Sequence, residues 1–134
     1  MTRDEVMALT DDALWWKALR CLHGDKVLGG YSVHKESGRA WTQIDGEKVW
    51  RDGCDYLKDI AAAWELVEFM GFKKGLDLEL CGGPLLWEAS FAPVNAEAIG
   101  FSRANIAPLA ITRAFILAME TSDAAPCITA SNVL

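Results

Sequence analysis

Two basic side chains stand beside the predicted start of the last helix, in a half of the chain that otherwise carries acids. Residues 75–134 contain six acidic residues but only two basic ones, Arg103 and Arg113. Guanidinium groups form charge-assisted, often paired hydrogen bonds with phosphate and carboxylate groups. Two such groups at one helix start therefore indicate an anion-binding site.

The neighbours of Arg103 could complete a site for a nucleotide. Phe101, Ser102 and Asn105 supply an aromatic face, a hydroxyl and an amide just before the predicted helix. The free N–H groups of a helix N-terminus favour anions, and an aromatic ring can stack on a base. The alternative is that Ser102 and Asn105 only cap the helix and that Arg103 is a solvated loop residue.

Arg113 is predicted to lie inside the most apolar helix of the chain. Thr112 and Arg113 are the only polar residues in the run 108–119, and an unpaired guanidinium is costly to bury. Arg113 is therefore expected either to pair with an acid or to line an anion pocket together with Thr112. The candidate acids are Glu88, Glu97 and an acid of a partner subunit.

The six tryptophans divide into predicted core residues and one surface candidate. Trp64 and Trp87 fall on the inward phase of their elements, which predicts that both lie in the core. Adjacent residues on a helix point about 100° apart, so Trp15 and Trp16 cannot face the same core. One of the pair, for which we take Trp16, should meet a subunit interface or serve as a stacking platform for a base. Trp41 and Trp50 are not assigned.

Catalytic and metal-binding patterns are not recognisable in the sequence. His23 and His34 are the only histidines, and neither stands in a nucleophile–base or metal motif. The cysteines are too widely spaced for a zinc site or a redox pair, which predicts buried thiols. These cysteines are Cys21, Cys54, Cys81 and Cys127. We therefore predict no catalytic residue, no metal and no cofactor.

Composition limits the class of protein. With 134 residues, 51% of them hydrophobic, the chain is expected to form a single domain over residues 1–134 with a tail after about residue 123. A net charge of -6 argues against general binding of nucleic acid, which depends on phosphate neutralisation. No apolar run approaches the length of a membrane span, and no signal peptide is recognisable, so a soluble cytoplasmic protein is expected.

Hydrophobic periodicity predicts an α+β fold, with a small antiparallel sheet packed between helices as an α-β-α sandwich. Helices are predicted from Asp11 or Asp12 to about His23, from an Asp59 cap to Gly71, and from Asn105 or Ile106 to Glu120. Two or three short antiparallel strands are predicted between Val27 and Trp50, a hairpin between Leu76 and Phe91, and a loop from Pro93 to Ala104. Because the last helix is apolar almost all round, one small sheet cannot cover it, which predicts self-association.

Two sequence strings resemble the phage ABA-sandwich domain. They are Y-L-K-D-I-A-A-A-W-E-L-V-E at residues 56–68 and A-P-L-A-I-T-R-A-F at residues 107–115. The predicted hairpin with Trp87 and Phe91 lies between them. The resemblance covers about the second half of the chain and is to a small α-β-α family found in phage and prophage genomes.

This resemblance implies a function in phage anti-defence. Some members of the family are sponges against bacterial immune systems such as Thoeris and CBASS. They bind cyclic ADP-ribose-type signals, and sometimes cyclic oligonucleotides, without degrading them, and they assemble from dimers into rings or hexamers. The same is expected of this chain in the cytoplasm of an infected or lysogenic bacterium. The alternatives are a structural or protein-interaction phage protein of the same fold and a small nucleotide-processing enzyme.

Overall fold

The computed structural model describes residues 2–94 and 96–124, which form a mixed α+β fold and confirm the predicted class. The α-helices of this part are α1 (Arg3–Ala8), α2 (Asp11–His23), α3 (Ile60–Phe69) and α4 (Ala107–Ala124). Its strands are β1 (Val27–Val33), β2 (Ala40–Ile44), β3 (Glu47–Trp50), β4 (Asp77–Gly82), β5 (Trp87–Ala92) and β6 (Gly100–Ala104). The strands form two three-stranded antiparallel sheets, in the orders β1-β2-β3 and β4-β5-β6.

The turn between β2 and β3 fixes the register of the first sheet. Asp45 and Gly46 both have positive φ angles, 52° and 83°, as a two-residue type I′ hairpin turn requires. The sequence predicts this turn from the Asp-Gly pair. The resulting register places Trp41 directly opposite Trp50.

Strand β6 occupies the last five residues of the loop predicted from Pro93 to Ala104, so the loop prediction is wrong for that part. The strand pairs with β5 and alternates normally between its two faces. Its inward residues are small, however, because α4 packs directly against them: Gly100, Ser102 and Ala104 are buried. Without large apolar residues at these positions, the alternation gives no hydrophobic signal in the sequence.

Gly100→Ala should destabilise the fold by about 1–3 kcal/mol, because α4 leaves no room for a methyl group. A Cβ atom on Gly100 would lie 2.6 Å from the Ala114 carbonyl oxygen and 2.7 Å from the Ala118 nitrogen, and both atoms belong to the helix backbone. Urea unfolding of the variant measures the effect. Gly30→Ala is the matched control, since a Cβ there meets nothing within 4 Å; equal stability of the two variants would contradict the packing argument.

The helix ends agree only partly with the sequence. Asp59 caps α3 by accepting a hydrogen bond from the Ala61 N–H at 2.9 Å, as predicted. Helix α2 is capped by Thr10 rather than by an aspartate. Gly71 does not end α3, because the chain continues as a π-helical turn to Lys74 and stops at Gly75, which has a φ of 67°. Residues 125–134 of the predicted tail lie outside the described residues.

Helix α1 was not predicted, although its start carries a clear signal. The Thr2 hydroxyl accepts the Glu5 N–H, and the Glu5 carboxylate accepts the Thr2 N–H at 2.7 Å. This reciprocal arrangement is the capping box that T-x-x-E sequences form.

Helix α4 is the centre of the core, and the chain covers it by itself. It packs against β5 and β6 and against α1, α2 and α3. Its fully buried residues are Ala110, Ile111, Thr112, Ala114, Phe115, Ile116 and Ala118. The argument that this helix needs a second subunit to cover it is therefore wrong, and homo-oligomer formation stays a prediction without support from α4.

Among the described helices, none combines the length and the apolar character that a membrane crossing requires.

Trp64 is not a core residue, in contrast to the prediction. Its side chain is 46% exposed, because α3 turns Ala63 and Leu66 toward the core instead. Trp87 is partly buried and packs against the core.

The prediction of buried thiols is wrong for the three described cysteines. Cys81 is exposed, and Cys21 and Cys54 are half-buried. Cys127 lies outside the described residues.

A partly buried ion cluster joins the first sheet to α2. Arg51 follows β3 directly, and its side chain is only 15% exposed. Its Nη1 donates a hydrogen bond to Asp12 Oδ1 at 2.9 Å, while Asp55 and Asp11 lie at 3.5 and 3.9 Å from other nitrogens of the group. Burial alone would lower the pKa of Arg51, but these acids outweigh burial and raise it.

Candidate functional site

Arginines from both ends of the described chain meet at Phe101. Strand β6 turns Phe101 and Arg103 to the face of the second sheet opposite α4, because they alternate with buried Ser102. The guanidinium carbon of Arg103 lies 5.5 Å from the centroid of the Phe101 ring, and that of Arg3 lies at 5.0 Å. Arg113 Nη1 donates a hydrogen bond to the Arg103 carbonyl at 2.9 Å. We call Arg3, Arg103 and Arg113 with Phe101 the arginine cluster.

Arg103 is anchored by a cross-strand ion pair. It lies opposite Glu88 in the register of β5 and β6, and its Nε donates to Glu88 Oε2 at 2.8 Å. Its side chain is still 59% exposed, so the guanidinium remains accessible to a ligand. Arg103 is thus part of a strand, not a loop residue.

Arg113 is a half-buried cation without a counter-ion in the described structure. No carboxylate of residues 2–94 or 96–121 lies within ion-pair distance, so neither predicted acid, Glu88 or Glu97, pairs with Arg113 there. Its Nε is buried and has no hydrogen-bond partner. Burial lowers the pKa of Arg113, and the charge of Asp11 opposes this effect. A bound anion would supply the missing partner.

The two hydroxyl groups predicted for the site lie inside the fold. Ser102 and Thr112 are both 0% exposed. The Ser102 hydroxyl faces Met7 Sδ at 3.8 Å, and the Thr112 hydroxyl lies 2.9 Å from the carbonyl oxygens of Tyr56 and Pro108. The structure therefore brings neither hydroxyl to the surface at the arginine cluster.

Of the two other predicted site residues, Asn105 lies beside the arginine cluster and Trp16 does not. Asn105 is exposed next to the cluster, and its amide makes no hydrogen bond to the described residues, so the predicted cap is absent there. Trp16 lies on α2, where its ring contacts Tyr31 and Arg20 rather than the arginine cluster. Trp15 is fully buried and donates its indole N–H to the Cys54 carbonyl at 3.1 Å. The predicted split of the pair is confirmed, because Trp16 is only half-buried.

Sequence reasoning missed two groups of residues. Arg3 is the first, because nothing in the sequence connects the N-terminal helix with β6. The second is an aromatic and basic patch on the first sheet, with Trp41 and Trp50 at its centre and Arg39 and Lys48 above the rings. The Asp-Gly turn and the strand alternation together could have placed these four side chains on one face.

In the parts of the chain that the structure describes, no group of three histidine, cysteine or acidic side chains is arranged so that it could hold a metal ion.

A scan against protein-family models finds no match to this chain, and searches of curated proteins and of solved structures find none either. The resemblance to the phage ABA-sandwich domain thus stays a prediction.

Proposed function

We propose that this chain is a phage or prophage anti-defence protein that binds a cyclic nucleotide immune signal and sequesters it without cleaving it. The ligand is a cyclic ADP-ribose isomer or a cyclic oligonucleotide, and the site is the arginine cluster. The proposed location is the cytoplasm of the infected or lysogenic bacterium.

The unpaired charge of Arg113 carries this proposal. The Arg3 and Arg103 guanidiniums lie over the Phe101 ring, Arg103 pairs with Glu88, and Arg113 reaches the Arg103 carbonyl from α4, within a chain of net charge -6. Such a local excess of positive charge attracts an anion, and guanidinium forks match phosphate oxygens. The ring of Phe101 adds a stacking surface for a base. The combination fits a nucleotide better than a simple inorganic anion.

A release experiment tests the proposal. The protein is incubated with cyclic ADP-ribose isomers and cyclic oligonucleotides, separated from free ligand, and heat-denatured, and the supernatant is analysed by mass spectrometry. We expect one of these nucleotides to be released intact. A chemically altered nucleotide would contradict sequestration and indicate an enzyme, and an empty supernatant would contradict nucleotide binding.

A protein-interaction function is the second candidate, and an exposed apolar stripe on α3 favours it. Ile60 and Trp64 lie one helical turn apart and are 49% and 46% exposed. Exposed apolar pairs of this kind are common at contacts between proteins. In the sponge proposal the same stripe would serve the assembly of a dimer or of a dimer-based hexamer. Light scattering on the eluting peak distinguishes an oligomer from a 14.7 kDa monomer.

A further inference from the structure

The outer face of the first sheet carries two facing tryptophans. Trp41 and Trp50 are paired across β2 and β3, with ring centroids 6.3 Å apart. Thr42, the neighbour of Trp41, points the other way and is buried. Both indoles are only half-buried, so part of each ring is exposed at this face.

Two cations are held against these rings. Lys48 Nζ lies 4.3 Å from the Trp41 centroid and 5.4 Å from that of Trp50. The guanidinium of Arg39 lies 4.2 Å from the Trp50 centroid and donates two hydrogen bonds of 3.1 Å to Asp52. Within the described residues, Lys48 has no acid at ion-pair distance. Arg39 is therefore held by Asp52, whereas Lys48 has no counter-ion among the described residues.

A surface hollow of about 410 Å³ adjoins the Trp50 ring. Its lining includes Arg39, Lys48, Trp50 and Asp52. Sites for small ligands usually measure about 300–1,000 Å³, so the hollow has the size for one nucleotide. The charges of these residues sum to one excess positive charge, which matches a single phosphate better than a polyphosphate. We call this region the tryptophan hollow.

We propose that the tryptophan hollow is a second binding site, which takes the base and phosphate of a nucleoside monophosphate unit. The base stacks on an indole face, and the phosphate is bound by Lys48 and by the Arg39 guanidinium. Lys48 has a long flexible side chain, so its ammonium group can move off the ring and still reach the phosphate. The unit is either a free nucleotide or part of a single-stranded oligonucleotide. The proposal does not depend on the arginine cluster.

Calorimetric titration with AMP, adenosine and a short single-stranded oligoadenylate tests this site. We expect saturable binding of AMP, and binding of adenosine weaker by about tenfold, because adenosine lacks the phosphate. A tighter complex with oligoadenylate than with AMP identifies single-stranded nucleic acid as the source of the unit, and equal or weaker binding identifies the free nucleotide. No saturable binding of AMP or of oligoadenylate at millimolar concentration would overturn the proposal.

Single substitutions test whether AMP binds at the tryptophan hollow. Trp50→Leu should weaken AMP binding by about 5- to 150-fold, the range for loss of one stacked base, and Lys48→Gln by about tenfold. Lys48 is exposed, so Lys48→Gln tests the site even where Trp50→Leu affects folding. Trp64→Leu and Lys58→Gln are the controls, because both residues are exposed elsewhere. Wild-type affinity in Lys48→Gln and Trp50→Leu would overturn the proposal, whereas AMP binding that survives Arg113→Glu separates this site from the arginine cluster.

Discussion

Arg113→Glu should abolish binding of the cyclic nucleotide and leave the fold intact. Loss of one charge-assisted hydrogen bond weakens binding by about ten- to a hundredfold, and the introduced carboxylate adds repulsion against a phosphate. Calorimetry with the nucleotide found in the release experiment measures the loss. Asn105→Ala should have a smaller effect, because an amide contributes no charge.

The melting temperatures of Arg113→Glu and of Arg113→Gln decide whether Arg113 binds a ligand or supports the structure. Arg113 has no acid within ion-pair distance in the described chain, so its removal leaves no carboxylate without a partner. We therefore expect Arg113→Gln to melt within a few degrees of the wild type. Lys73→Glu, with the same charge reversal at an exposed position, should retain binding. A collapsed melting temperature with dissociated subunits would make Arg113 a structural residue.

Arg51→Met should destabilise the protein by about 3–5 kcal/mol, or roughly 10–20 °C in melting temperature. The substitution leaves Asp12 and Asp55, which are 27% and 18% exposed, without their shared cation. It also breaks the hydrogen bond that ties the end of β3 to the first turn of α2. Differential scanning calorimetry at neutral pH measures the change.

Arg39→Met is the matched control for this prediction. Arg39 also pairs with an aspartate, at 3.1 Å, but the two side chains are 47% and 61% exposed. Exposed ion pairs contribute about 0–1 kcal/mol, so this variant should melt close to the wild type. Equal losses in the two arginine variants would show that burial of the Arg51 cluster does not determine its contribution.

Local sequence signals are sufficient to predict the turns and helix caps that depend only on neighbouring residues. The Asp45-Gly46 turn and the Asp59 cap were predicted from residue type alone, because each depends on a hydrogen bond or a backbone angle within a few residues. Strand β6 and the exposure of Trp64 were not predicted. Both depend on where α4 packs, and that contact joins segments that are far apart in the chain.

The candidate site was likewise predictable only where its residues are close together in the sequence. Phe101 and Arg103 lie two residues apart, so a strand places them on one face, and Arg113 follows shortly after. Their association was therefore visible in the sequence. Arg3 joins them only because α1 docks beside β6, and Ser102 and Thr112 leave the surface because their hydroxyls face Met7 and Tyr56 inside the fold.

The central position of α4 also determines when this protein can fold during its synthesis. Both sheets and the other three helices leave the ribosome before residues 107–119 do, and until then they have nothing to pack against in the middle of the core. Contacts between α1 and α4 close a loop over almost the whole described chain, which slows folding. The nascent chain therefore exposes apolar surface until α4 emerges, and such surface favours aggregation during that interval.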